Sequence, residues 1–207
     1  MSSISVAGDT SGSVTIAAPA VAGSGTLTLP VATDTLVGKA TTDTLTNKSI
    51  AATQLTGTIA AAALPAGSVL QVVNMVKLTS FSTTSTSYVD ITGLTASITP
   101  SSTNSKILVL VTLARGGSNV GAINLLRGAT NLLQPTTVQT YSSSSTNYNA
   151  SDSVAPAPII CLDSPASVSS VAYKCQIKTN TGTIYIGNRS GNDMEMVSTI
   201  TLMEIAG

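Results

Sequence analysis

The chain has 207 residues, with nine Lys or Arg against nine Asp or Glu, no His, no Trp and one Phe. Balanced, scattered charges build no basic face, so nucleic-acid binding is not expected. Without His, neither a Ser–His–Asp or Cys–His nucleophile nor an imidazole metal site can be assembled, and the expectation is no enzyme, no catalytic residue and no cofactor.

Residues 1–30 carry Asp9 and no cation. The positive start of a signal peptide is missing, so synthesis in the cytoplasm without export is expected. Residues 2–67 hold 15 Val, Ile, Leu, Met, Phe or Tyr, and residues 68–207 hold 46. The chain is therefore read as an extended segment, 1–67, and a folded head, 68–207. The first part has too few apolar side chains to offset its own ordering entropy, and is expected to dock on a partner or wind with copies of itself.

Within that segment VTI (14–16) and TLTLP (26–30) alternate like short strands. Thr-Asp-Thr-Leu occurs at 33–36 and again at 42–45. QLTGTIAAAALPAGS spaces Leu55, Ile59 and Leu64 around Ala, which predicts a short helix over 59–63 that stops before Pro65. Ser49 to Val76 is uncharged, but Gly57, Pro65, Gly67 and Gln71 interrupt it, so no membrane insertion is expected.

From Ser68 onward strands are predicted near 68–78, 86–91, 94–98, 106–114, 121–127, 130–134, 157–163, 170–179, 183–187 and 197–205. Turn signals separate them, among them Thr-Gly at 92–93 and Arg-Gly-Gly-Ser-Asn at 115–119. No long segment has helical period. The fold class is all-β, with an antiparallel β-sandwich head of jelly-roll type.

Two kinds of strand are distinguishable. VAYKCQIK alternates, with Val171, Tyr173, Cys175 and Ile177 on one face and Ala172, Lys174, Gln176 and Lys178 on the other, as in a sheet with one wet face. KILVLVTLA fills both faces, Ile107, Val109, Val111 and Leu113 against Leu108 and Leu110. Near the end of the sequence Val197, Met203 and Ile205 lie on one face, Ile200 and Leu202 on the other. Strands apolar on both faces need cover on both, and a partner subunit is the simplest cover. Leu108, Leu110, Ile200 and Leu202 are the expected subunit-interface residues. The bland alternative is a monomer with a loop packed over the second face.

The loop 134–156, QPTTVQTYSSSSTNYNASDSVAP, mixes Tyr141 and Tyr148 with Ser, Thr and Asn. Rigid amphipathic Tyr among small polar residues is the composition of adaptable binding surfaces. Tyr141, Asn147, Tyr148 and Asn149 are the receptor-binding candidates, with a host-surface glycan as the suited ligand; a loop that only covers the sandwich end is the alternative. Asp193 and Glu195 could offer oxygen ligands to Ca²⁺, yet no EF-hand spacing is present and no metal site is assigned. Asp152, Asp163 and Glu195 are the acids a glycan hydrolase would have to use. Cys161 and Cys175 sit in apolar runs without a CxxC pair and read as small core residues, with a disulfide left open.

The run GDTSGSVTIAAPAVAGSGTLTLPVATDTLVGKATTDTLTNKSI, and TTDTLTNKSI (41–50) above all, resembles the N-terminal segment of bacteriophage tail fibre and appendage proteins. QLTGTIAAAALPAGSVLQV (54–72) resembles the junction at which such fibres enter a head. The resemblance covers about the first third of the chain. It implies a homotrimer on the virion, attached to other virion proteins through residues 1–67, with a trimeric jelly-roll head that binds the host cell. The chain lacks a long shaft, which leaves capsid decoration or a head fibre as the alternative.

Overall fold

A chain rich in Val, Ile, Thr and Ser favours pleated strands, and the computed structural model is all-β among its described residues. These are 3–7, 10–17, 49–51, 53, 56–57, 59–117, 119–133, 145–147, 153–190 and 194–207. The chain divides into two units, Met1–Thr56 and Gly57–Gly207.

In the first unit β1 (Ser3–Ala7) and β2 (Ser13–Ala17) form an antiparallel hairpin, Ser3 opposite Ala17. Ile4 and Val6 of β1 are exposed, and an isolated two-stranded hairpin is marginal in water. The expected strand at 26–30 and both Thr-Asp-Thr-Leu repeats lie outside the described residues.

The second unit opens with a single 3-10 turn, Ala61–Ala63, where a short helix was expected. Its strands are β3 (Val69–Lys77), β4 (Phe81–Thr83), β5 (Val89–Ile98), β6 (Lys106–Gly116) and β7 (Gly121–Arg127). β8 (Thr130–Asn131), β9 (Ser145–Asn147), β10 (Val154–Asp163), β11 (Val171–Thr179), β12 (Ile184–Ile186) and β13 (Ser198–Ile205) follow. They make two antiparallel sheets.

β10 covers one edge of β6 along its length, so β13 (opposite 106–112) and β12 (opposite 115–116) share the other edge as one interrupted row. β3 and β4 continue outward from that pair. The first sheet therefore has four rows: β3/β4, β13/β12, β6, β10. By the same reasoning β8 and β9 share the free edge of β7, and the second sheet has the rows β5, β11, β7, β8/β9. The inner faces meet in one core of Ile91, Leu94, Ile107, Val109, Tyr173, Cys175 and their neighbours. This is an antiparallel β-sandwich.

Three strand predictions differ in instructive ways. Thr-Gly at 92–93 makes a bulge and not a turn: β5 runs through, Gly93 takes φ 77°, and the register against β11 jumps there. β10 starts at Val154, ahead of the predicted 157, and carries Pro156 and Pro158 inside it. Both prolines are tolerated because β10 is an edge strand. Ile200 and Leu202, expected at a subunit interface, are fully buried within the chain's own core. Ile200 stands opposite Val111 and Leu202 opposite Val109, so their face of β13 is the inner one.

Candidate functional site

The outer face of the first sheet is the most unusual surface among the described residues. Alternation along β6 sends Ile107, Val109, Val111 and Leu113 inward and leaves Leu108, Leu110 and Thr112 outward. The pairing registers then define three rows that cross the sheet. Val72, Met203, Leu108 and Leu162 form the first; Asn74, Thr201, Leu110 and Ile160 the second; Val76, Thr199, Thr112 and Pro158 the third. None of these twelve side chains is charged. Ile160 is 66% exposed, Leu162 56% and Val72 55%, while Leu108, Leu110 and Met203 are half-buried. Asn74 donates Nδ2–H to Thr201 Oγ1 at 2.7 Å, which satisfies part of the little polarity present.

At strand spacings of about 4.8 Å and rises of about 3.3 Å this face projects over roughly 400 Å². Eight of the twelve side chains are apolar, so the apolar part of this face is within the size of the largest patch on an ordinary monomer, a size commonly tied to function. Leu108 and Leu110 belong to it as expected from sequence. Ile160 and Leu162 were missed, although Pro-Ile-Ile-Cys-Leu is apolar at both parities and so carries the same signal as the 106–114 run.

The outer face of the second sheet is built differently. Asp90 accepts from Lys174 Nζ at 2.7 Å and from Gln176 Nε2 at 2.8 Å. Those bonds hold its carboxyl below the usual range, Lys174 first and Gln176 second. Lys178 Nζ lies 4.8 Å from the centroid of the Tyr88 ring.

The candidate acids are spent on structure or exposed. Asp163, on β10, accepts from Arg127 Nη1 at 2.8 and 2.7 Å and from the Tyr173 hydroxyl at 2.7 Å. It thereby joins the two sheets. Burial, and then the bond to Asp163, push the Tyr173 hydroxyl pKa up. Glu204 is fully buried and accepts from Gln71 Nε2, from Ser101 N–H and from the Ser101 hydroxyl at 2.6, 2.6 and 2.7 Å. Burial alone raises its carboxyl pKa; the bonds from Gln71 and Ser101 outweigh it and hold the group below the usual range. Glu195 is exposed beside an isolated bridge to Asn188. Asp152 and Asp193 lie outside the described residues, and among those described no cluster of His, Cys, Asp and Glu could hold a metal ion.

Cys161 and Cys175 are free thiols in the core, and burial pushes Cys175 up to about 12. An inert thiol of this kind is a packing residue. Of the receptor-binding candidates, Tyr141, Tyr148 and Asn149 lie outside the described residues. Asn147 ends β9, opposite Gly121. Comparison with protein-family models and with curated proteins finds no match.

Proposed function

We propose that the protein is a structural virion appendage, a short fibre of the bacteriophage type. Its sandwich heads associate as a homotrimer through the outer face of the four-row sheet, and the segment 134–156, which the sequence suggests as a loop and which holds β9 and the first residues of β10, meets the host cell surface with Tyr141 and Tyr148. The observation that carries this reading is the uncharged face through Leu108, Leu110, Ile160 and Leu162. A sheet that must face water keeps polar residues on that side, as β5 and β11 of the second sheet do at Asp90, Lys174 and Gln176, although the β7 positions beside them, Leu126 and Ala122, are apolar and buried. Two further features support it. The row order, first with eighth, third and sixth in one sheet and second, seventh, fourth and fifth in the other, is the double Greek key of a jelly roll. The segment 1–67 resembles fibre N-termini, and residues 57–67 run onto the head, where Gly67 N–H donates to Ala206 O at 2.8 Å.

Binding by such a head works through multivalency, because three weak sites per trimer give an avidity that one lacks. The test is binding of labelled full-length protein to host cells, compared with a Tyr141→Ala/Tyr148→Ala variant. Weakened binding by an otherwise intact trimer is expected. Unchanged binding removes the loop as the receptor site, and attachment to tail-less capsid shells in place of cells assigns the protein to capsid decoration.

A further inference from the structure

The backbone of the same sheet carries a second message, written by two prolines. Pro has no N–H, so Pro156 and Pro158 must occupy positions of β10 whose N–H would point away from β6. The ladder agrees: Gly117 N–H donates to Ser153 O at 3.3 Å in register with the β6–β10 pairing. Odd-numbered residues of β10 therefore bond to β6. Even-numbered ones direct their backbone groups to the free edge. The N–H groups of Ile160 and Leu162 point there, and their exposed side chains stand on the apolar face beside them. Carried across the four rows, the same alternation turns the backbone groups of Val72, Asn74 and Val76 toward the opposite free edge, that of β3. Among the described residues no strand pairs with either edge.

We propose that the open edge of β10 at residues 160–162 is a strand-docking site, and that its occupant is the β3 edge of a second copy of this chain. This rests on the homotrimer read above, and adds to it which edges meet. Four antiparallel rows begin and end in opposite directions. When copies are related by rotation about an axis parallel to the strands, β3 of one copy meets β10 of the next antiparallel, and every seam continues the ladder. Such a head-to-tail contact closes into a ring of three when each copy turns by one-third of a revolution about that axis. Both edges carry exposed apolar side chains on the same face, Ile160 and Leu162 on one and Val72 and Val76 on the other, so the apolar face continues across the seam. Pro156 and Pro158 block the first half of the β10 edge, which confines pairing to the second half.

The experiment is the native mass of the full chain, by light scattering after size exclusion, for the parent and for Ile160→Pro and Leu162→Pro. Neither proline removes a bond to β6, since each takes the parity that Pro156 and Pro158 already occupy. Ile159→Pro, at the other parity, serves as the unfolding control. The expected result is a folded proline variant whose native mass falls threefold from that of the parent. If a proline variant does not fold, Ile160→Lys with Leu162→Lys blunts the same edge through side chains alone, with the same expectation. Trimers that persist in the proline and lysine variants overturn strand docking. A parent that is itself monomeric overturns the homotrimer reading, and this inference with it. A trimer that Leu110→Lys dissociates but the folded prolines do not leaves the face in place and overturns only the edge.

Discussion

The two sheets of the sandwich share one core and differ on their outer sides. On the second sheet Asp90, Lys174, Gln176 and Lys178 form hydrogen bonds or stack on an aromatic ring, as side chains in water do. On the first sheet the outer face carries no charge, and Leu108, Leu110, Met203, Ile160 and Leu162 stand there among Asn74, Thr112, Thr199 and Thr201. Both sheets are antiparallel and share the same core, so the contrast lies in the outward positions alone. Burying an inner face accounts for the sandwich and leaves the outer Leu and Ile unexplained; the homotrimer proposed above is the cover this account gives them.

That contrast can be broken from the apolar side. Leu108→Lys with Leu110→Lys places two cations on the face without touching the core. Leaving charge buried in an interface costs about 3 kcal/mol or more per site. The variant is expected as a folded monomer, with unchanged far-UV circular dichroism and a native mass one-third of the parent's. Asp163→Ala tests the inside instead. It strips the partner from Arg127 and from the buried Tyr173 hydroxyl, and is expected to cost about 3 kcal/mol in urea unfolding, with assembly of the folded fraction retained.

Lys77 sharpens the comparison, because it is a cation on the inner side. It is buried at the end of β3, its Nζ donates to Thr79 Oγ1 at 3.0 Å, and burial lowers its pKa. A lowered Lys pKa means that the fold favours the neutral amine, so stability rises with pH between the folded value and the unfolded one of about 10.4. Lys77→Met is expected to stabilise by about 1 kcal/mol near pH 7, with the gain shrinking as pH approaches ten. Glu204 has the same sign in an acidic window, with the charged form as the one the fold favours. Its depressed carboxyl contributes stability that is present above about pH 4.3 and lost as pH falls through the folded value. Glu204→Gln should flatten that acid limb in pH-dependent unfolding. The smallest effect belongs to the polar face: Asp90 is exposed, so Asp90→Asn should change stability by less than about 1 kcal/mol, in a salt-dependent way, and leave native mass untouched.

Much of the sandwich was legible from alternation. The 171–179 strand reads its core side directly, and the 106–114 run shows apolar residues on both of its faces. Where both faces are apolar, however, period two cannot tell inside from outside. Ile200 and Leu202 were placed on the wrong side for that reason, and only their register against Val111 and Val109 decides it. Pro156 and Pro158 hid the start of β10, because a proline argues against a strand until its edge position is known. β9 is three residues inside a Ser- and Asn-rich run and has no apolar pattern to find. The outer face was half legible: Leu108 and Leu110 were found, and Ile160 and Leu162 join them only once β10 is paired beside β6.

The most direct test is sedimentation equilibrium on the purified full-length protein across a range of concentrations. A mass of three times the 20.7 kDa chain, falling to one chain in the Leu108→Lys/Leu110→Lys variant, is the predicted result. A parent chain that stays monomeric at every concentration would contradict it.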